Sequence, residues 1–182
     1  MLKNNHVPKS NKKGFTLVEL LIVIVILGLL TTIGLGSFMS SQRKGRDARR
    51  KADLDSITSA LEMYYNDYDQ YPVHDASAQI DGCDSGGCGW NQLWQKNGTI
   101  YMVQIPEDPA GGSYAYQSDG SSYVIYARFE NSQDGDIPAG PSGPGVYNTS
   151  GFDCVSGGCN YEVHSSNMSS SSLPTVLDDP DL

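Results

Sequence analysis

Positive charge is scarce in most of this sequence. Residues 52–182 contain Lys96 and Arg128 as their only basic side chains, against nineteen acidic ones. Nucleic-acid binding needs a positive field that meets the phosphates, so we expect no direct binding to DNA or RNA. Residues 1–51 have the opposite balance, with ten basic and two acidic side chains. A basic N-terminal part is therefore followed by an acidic, soluble and self-repelling remainder.

The sequence also lacks a catalytic constellation. His74 and His164 stand beside no recognisable nucleophile or ligand motif. No glycine-rich stretch has the spacing of a phosphate-binding loop. We therefore predict that the protein is not an enzyme and has no cofactor, with calcium as the single candidate considered below.

Formal charge is absent from residues 15–39 except at Glu19. This run of about 25 residues is rich in Leu, Ile and Val, and a helix of ~20 residues spans the hydrocarbon core of a bilayer. A secretory signal peptide would have an apolar core of about 7–15 residues and a small-residue cleavage site after it. The run is too long for that, and no Ala-x-Ala pattern follows. We predict a membrane-spanning helix.

Glu19 is costly in this setting. A carboxylate in lipid costs about 2.5–3.5 kcal/mol on insertion scales, so its presence predicts a partner group. Four lysines precede the run and six basic residues follow it. Because basic residues mark the cytoplasmic side, these two flanks leave the orientation of the helix open.

Residues 13–20 read Lys-Gly-Phe-Thr-Leu-Val-Glu-Leu. This stretch resembles the processing site of type IV prepilins and type II secretion pseudopilins. The resemblance implies that a prepilin peptidase removes a leader, residues 1–14, by cutting between Gly14 and Phe15. It also implies N-methylation of Phe15 and a cytoplasmic leader, which fixes the orientation. Glu19 becomes the fifth residue of the mature chain, the position of the family's glutamate.

Two roles are open for Glu19. In a filament it would pair with the Phe15 amine of a neighbouring subunit and bring the apolar helices into register, because opposite charges offset part of each other's desolvation cost. Alternatively, its side chain would reach the lipid headgroups from its position near the end of the helix. We favour the assembly role.

The helix is predicted to continue beyond the membrane. Apolar residues recur at steps of three and four, a strong signal for an amphipathic helix, and Pro72 ends it. They are Leu54, Ile57, Leu61, Tyr64 or Tyr65, and Tyr68. The fold class is therefore α+β, with a long N-terminal helix packed on a small antiparallel sheet. Residues 15–39 form its membrane or filament-core half, and residues 40–71 its amphipathic continuation.

Basic residues cluster where these two halves meet. Arg43, Lys44, Arg46, Arg49, Arg50 and Lys51 lie directly after the apolar run. We expect them at the outer membrane surface, where they would meet anionic lipid or the acidic heads of neighbours. A solvated helix face is the alternative.

Residues 72–164 are predicted to form a globular head. Residues 113–117 and 122–129 read as two strands joined by a turn at Asp119 and Gly120. Their tyrosine pattern resembles the heads of bacterial pilins and major pseudopilins. The stretches 73–111 and 131–160 read as loops, and a last short strand is expected at 161–163. Residues 165–182 are rich in serine and then acidic, so we predict a disordered tail.

The four cysteines form two similar motifs, Cys83–Cys88 and Cys154–Cys159, both reading Cys-x-Ser-Gly-Gly-Cys. An exported chain meets oxidising conditions, which makes disulfides the expected state. Four cysteines allow three connectivities, and the short glycine-rich loops favour the pairing within each motif. A zinc site is the alternative, because the spacing is within the range of structural zinc ligands.

The acidic segment after the hairpin is a candidate calcium site. Asp134 and Asp136, with Glu130, offer the hard oxygen ligands that Ca²⁺ prefers. Major pseudopilins carry calcium in a comparable loop, although no residue-by-residue match is evident here. A solvated loop without metal is the alternative that we favour.

The resemblance implies a structural function. The first prediction is the subunit of a type IV pilus, a helical homopolymer processed by prepilin peptidase and built by pilus assembly platform proteins. The subunit would begin as a single-pass precursor in the inner (cytoplasmic) membrane and end in an extracellular pilus on the cell surface. The alternatives are a major pseudopilin of type II secretion, and a minor pilin whose head adheres through loop 82–95 or loop 131–160.

Overall fold

The computed structural model describes residues 14–147, 154, 158–168 and 176–179. One long helix, α1, precedes ten short strands in these residues, and every strand pair is antiparallel. The α+β class predicted from the sequence is thereby confirmed. The elements are α1 Leu17–Tyr68, β1 Val73–His74, β2 Ile80–Cys83, β3 Gly86–Cys88, β4 Trp94–Lys96, β5 Thr99–Met102, β6 Ala115–Ser118, β7 Tyr123–Ala127, β8 Gly145–Tyr147, β9 Tyr161–His164 and β10 Val176–Asp178.

Two compact units divide the chain between Ser40 and Ser41. In the first unit the apolar side chains of α1 lie on the surface, and Leu29, for example, is 64% exposed. Within the described residues, no single helix is long and apolar enough to cross a membrane, whereas the segments Leu17–Thr32 and Leu35–Tyr68, taken together as a bent pair, meet that criterion. Apolar surface of this extent on a folded chain marks contact with lipid or protein.

In the second unit the amphipathic face of α1 forms one side of the core. Leu54, Ile57 and Leu61 are fully buried, as the helical spacing predicts. The helix ends at Tyr68 because Asp69 takes a left-handed conformation (φ 53°), and its N–H donates to the carbonyl of Tyr65 at 2.8 Å. An αL residue directly after a helix is a common C-cap.

The predicted hairpin supplies two strands of a three-stranded sheet, in which β7 lies in the middle of the order β6-β7-β9. Ser118 pairs with Tyr123, so the four residues between them make the turn. The carboxylate of Asp119 closes it by accepting the N–H groups of Ser121 and Ser122, each at 2.9 Å, while Gly120 supplies a positive φ of 88°. Strand β9 adds the last strand where the sequence predicts one.

The prediction of a long loop over residues 73–111 is wrong. This region forms the sheet β1-β2-β3 and the hairpin β4-β5. None of these strands exceeds four residues, β2 contains an aspartate and a glycine, and β3 contains two glycines, so they show too little alternation to be recognised from the sequence. Trp94 is the fully buried first residue of β4.

The expectation of a disordered tail is also wrong for part of residues 165–182. Val176–Asp178 form β10, which pairs with β8 across the register Leu177 to Val146. Strand β8 itself lies in the stretch 131–160 that was expected to be loop. Residues 169–175 and 180–182 lie outside the described residues, as do residues 1–13 of the expected leader.

Candidate functional site

The N-terminus of α1 is capped by its own side chains. Thr16 precedes the first helical residue, and its N–H and its hydroxyl each donate to Glu19 Oε2 at 2.7 Å. In return, the N–H of Glu19 donates to Thr16 Oγ1 at 3.2 Å. This reciprocal pattern is a capping box, and the Thr-x-x-Glu spacing that forms it was visible in the sequence. Glu19 therefore has a local structural role in addition to the predicted assembly role.

The expected processing site, Gly14 and Phe15, is exposed and uncrowded. Phe15 is 83% exposed, and a Cβ placed on Gly14 would meet no atom within 4 Å. Nothing within the described part of this chain therefore requires a glycine at position 14. If glycine is needed there, the requirement arises in the enzyme that cuts the chain.

A buried ion cluster joins α1 to the loops of the head. The side chain of Arg50 is only 1% exposed, and its Nε and Nη2 atoms donate to the two oxygens of Asp108 at 2.6 and 2.9 Å. Its Nη1 donates to Asp47 Oδ1 at 2.6 Å. Burial acts against the charge on Arg50, but the hydrogen bonds to these carboxylates outweigh it and raise the pKa of the guanidinium.

Glu130 extends this cluster toward the surface. Arg46 holds both of its carboxylate oxygens, one of them through Nε at 2.7 Å, and Arg50 Nη2 donates to Oε1 at 3.0 Å. The hydrogen bonds from Arg46 are the main cause that lowers the pKa of Glu130 to about 2. Asp47 also accepts the N–H groups of Glu130 and Asn131, at 3.0 and 2.9 Å, so the cluster fixes backbone as well as side chains.

Lys51 makes the third connection between α1 and the head. Its Nζ donates to Asp136 at 2.7 Å and to both oxygens of Asp134 at 3.0 and 3.2 Å. The same ammonium lies 5.2 Å from the ring centre of Phe129 and 5.9 Å from that of Tyr161. Burial acts to raise the pKa of Asp134, but the Lys51 hydrogen bond and the N–H of Asp136 lower it overall.

These contacts correct the prediction for the basic cluster. Arg46, Arg50 and Lys51 bind carboxylates of their own head instead of lipid or neighbouring subunits. Arg43 and Lys44 are exposed, as a solvated helix face predicts. A spacing of 58 residues between Arg50 and Asp108 made the pairing invisible to sequence patterns.

The structure does not gather Glu130, Asp134 and Asp136 into a calcium site. Their oxygens accept hydrogen bonds from arginine and lysine, and Ca²⁺ requires six to eight oxygen ligands. Among the described residues, no three or more His, Cys, Asp or Glu side chains are grouped so that they could hold a metal ion.

Both predicted disulfides are present in the structure. Cys83 is bonded to Cys88 across the turn between β2 and β3, and Cys154 is bonded to Cys159. The pairing is the one that the spacing favours. It uses all four sulfurs, so none remains as the thiolate ligand that zinc would need.

The aromatic residues of loop 82–95 do not form an exposed contact surface. Trp94 is fully buried, and its indole N–H donates to the carbonyl of Gly82 at 3.2 Å. Trp90 is half-buried, and its ring makes an edge contact with Tyr114 at 5.7 Å. These two tryptophans pack in or against the core of the head and are largely unavailable for contact with another molecule, which argues against an adhesive role for this loop.

A long N-terminal helix with an apolar surface at its start, followed by a small antiparallel head, is the architecture of a pilin-like subunit. The chain matches the family model described as the prokaryotic N-terminal methylation motif over residues 9–35. It matches the model of type II secretion system protein G over residues 37–138, more than half of its length. The chain belongs to the type II secretion system protein G family.

Similar proteins carry the same description. The type II secretion system core protein G of Klebsiella michiganensis is 30% identical over 127 residues, which cover 70% of this chain and 87% of the relative. The core protein G of Pseudomonas aeruginosa is 29% identical over 129 residues, covering 70% and 89%. That of Escherichia coli K12 is 27% identical over 130 residues, covering 70% and 86%. No solved structure matches the chain.

Proposed function

We propose that this protein is the major pseudopilin of a type II secretion system, the subunit of a short filament that drives secretion. The observation that carries the proposal is the succession of two family matches along one chain. A methylation motif covers residues 9–35, and protein G of the secretion system covers residues 37–138. The relatives named above favour this function over the type IV pilus that we considered first.

Two features of the head do not separate a pilus from a secretion filament. The contact of Lys51 with the acidic loop lies within one head, so it is compatible with either filament. The two disulfide loops stabilise an exported head whichever filament it joins.

The route to the filament follows from the N-terminal residues. Prepilin peptidase cuts between Gly14 and Phe15, and methylation modifies the new amine of Phe15. The precursor is anchored in the cytoplasmic membrane until assembly platform proteins move it into the pseudopilus. The polymer is made of copies of this chain, whose apolar side chains between Phe15 and Met39 leave lipid for contacts with neighbouring subunits.

Glu19 has a physical reason to act at this step. Cleavage places a positive amine at Phe15, next to the positive end of the α1 dipole, where a cation is unfavourable. The carboxylate of Glu19 lies in the first turn of the helix and offsets this charge within one subunit or across two. The second arrangement would align neighbouring helices during assembly.

A gene deletion tests the function directly. Cells without the gene should retain a type II substrate in the periplasm, and the wild-type gene on a plasmid should restore its release. The N-terminal peptide of the mature protein, measured by mass spectrometry, should begin at a methylated Phe15. Normal secretion combined with the loss of sheared surface pili would contradict the proposal and support the type IV pilus.

A further inference from the structure

A single ammonium group of helix α1 contacts both carboxylates of the acidic loop that follows the β6-β7 hairpin. Lys51 Nζ lies within 3.2 Å of both oxygens of Asp134 and 2.7 Å from an oxygen of Asp136. The loop also folds on itself, because the N–H of Asp136 donates to Asp134 Oδ1 at 3.1 Å and the N–H of Asp134 donates to the carbonyl of Asn131 at 2.9 Å. Two carboxylates therefore converge on one cation that the chain itself supplies.

We propose that Lys51 is the built-in cation of this loop, and that the head keeps the loop closed without a divalent metal ion. The inference departs from the resemblance to major pseudopilins, which implies calcium in a comparable loop. It does not depend on whether the filament serves secretion or a surface pilus, since it concerns the folding of a single head.

Aromatic rings fix the position of the ammonium on its other side. The rings of Phe129 and Tyr161 stack with their centres 4.2 Å apart, and Lys51 Nζ lies over both. A cation above an aromatic face is attracted by the negative potential of that face. The side chain of Lys51 is one-third exposed, so most of its stem is also packed against the protein. The cation is thereby held in place by the helix, the rings and the carboxylates together.

The third carboxylate of the candidate calcium set is committed elsewhere. Glu130 is held by Arg46 through both oxygens and by Arg50 through one. A calcium ion would therefore find two carboxylates already hydrogen-bonded to one lysine and a third paired with two arginines. Because like charges repel strongly at a few ångströms, calcium could enter only by displacing Lys51 from its bonds.

The first test uses the unmodified protein. The full-length chain in detergent is unfolded thermally, with near-ultraviolet circular dichroism following its tyrosines, once with a calcium chelator and once with excess calcium. The calcium concentration is set at about 5 mM, above the ~10⁻³ M at which weak extracellular modules bind the ion. We expect the same Tm in both conditions. A Tm that rises with calcium would overturn the proposal.

The second test compares two lysines of the same helix. Lys51→Met removes the charge and keeps the stem over the aromatic rings, whereas Lys44→Met changes an exposed lysine. We expect Lys51→Met to lower Tm by about 2–4 °C, the shift that a modest loss produces in a chain of this size, while Lys44→Met leaves it unchanged. Equal Tm values for the two variants would also overturn the proposal.

A conservative variant separates the charge from the shape of the side chain. Lys51→Arg retains a cation at the loop, so it should preserve most of the Tm that Lys51→Met loses. Hydrogen exchange at the amides of residues 131–137 supplies a local readout, and it should accelerate in Lys51→Met only. Should Lys51→Met fail to fold, the calcium titration of the wild-type protein still decides the question. A loss in Lys51→Arg as large as in Lys51→Met would contradict the role of the charge.

Discussion

The two ends of helix α1 differ in where their side chains find partners. From Phe15 to Met39 the apolar side chains that the structure describes are exposed, and the carboxylate of Glu19 accepts hydrogen bonds only from its near neighbour Thr16 among the described residues. Between Asp47 and Tyr64, the apolar face of Leu54, Ile57 and Leu61 is buried, and Arg50 and Lys51 pair with loops more than fifty residues away. The apolar side chains of the first part need lipid or other subunits to cover them, whereas the buried side chains of the second part find their contacts within one chain.

This difference assigns stability and assembly to separate stretches of a single helix. Changes in the second stretch should affect the folding of the head, and changes in the first should affect the filament while the head remains folded. A variant in one stretch that impaired both the folding of the head and the assembly of the filament would contradict this division.

Glu19→Ala should have the largest effect on assembly, while the head remains folded. The variant removes the charge expected to pair with the Phe15 amine of a neighbour, a type of loss that costs 2–5 kcal/mol when the remaining charge stays buried. Each 1.4 kcal/mol is tenfold, so filament yield and secretion should fall at least about tenfold. Leader cleavage, seen on immunoblots, should continue, and Glu107→Ala in the head should behave as wild type.

Thr16→Val separates the local role of Glu19 from its role between subunits. It breaks the capping box and leaves the carboxylate in place, at a cost of about 1 kcal/mol for a lost N-cap. Assembly should therefore fall much less than in Glu19→Ala. Equal losses in the two variants would mean that Glu19 acts only by capping its own helix.

Arg50→Met should have the largest effect on the stability of the head. The substitution leaves Asp47 and Asp108 buried without their cation, which costs about 3–5 kcal/mol for a broken buried pair. Urea unfolding of the full-length chain in detergent measures this loss.

Arg49→Met is the matched control for Arg50→Met. Its side chain is 67% exposed and lies 3.9 Å from Asp53, a surface pair worth about 0–1 kcal/mol. A similar loss of stability in both arginine variants would show that the buried cluster has no special role.

Lowering the pH should have the smallest of the effects on the stability of the head. The pKa of Glu130 is lowered to about 2 from its ordinary 4.5, so its contribution to stability is complete above pH 4.5 and is lost as the pH falls toward 2. The shift sets an upper bound of about 3 kcal/mol. Partial exposure of the pair with Arg46 reduces this to about 1–2 kcal/mol.

Glu130→Gln checks this acid dependence. The free energy of unfolding should vary less between pH 4.5 and 2 in the variant than in the wild type, although Asp119, whose pKa is also lowered to about 2, keeps some dependence in both proteins. A slope that Glu130→Gln leaves unchanged would contradict the assignment.

Local signals in the sequence predicted the parts of the fold that depend on near neighbours. The helical spacing of Leu54, Ile57 and Leu61, the turn at Asp119 and Gly120, and the two disulfide loops are all found in the structure. The capping box at Thr16 and Glu19 was as visible as these signals, and it was overlooked because the carboxylate was considered only as a charge in lipid.

Long-range contacts explain the predictions that failed. Strand β10 exists because it pairs with β8 about thirty residues earlier, whereas its own sequence reads as an acidic tail. Glu130, Asp134 and Asp136 stand close together in the chain, which made them candidate calcium ligands, although a loop without metal is the alternative that we favour. Their partners are cations on a helix more than eighty residues before them, and no local pattern indicates which cations those are.

The sequence by itself determined a long helix and an acidic, disulfide-closed head, and it predicts a processed N-terminus, because each of these follows from composition or from residues a few positions apart. Only the tertiary structure decided which groups the charged side chains contact. It placed Arg50 in the core and Lys51 at the acidic loop, while it left Glu19 at the exposed start of the helix. The physical reason is that folding brings side chains from distant segments together. Burying a charged side chain costs free energy, and this cost is offset only where an oppositely charged group lies within hydrogen-bonding distance.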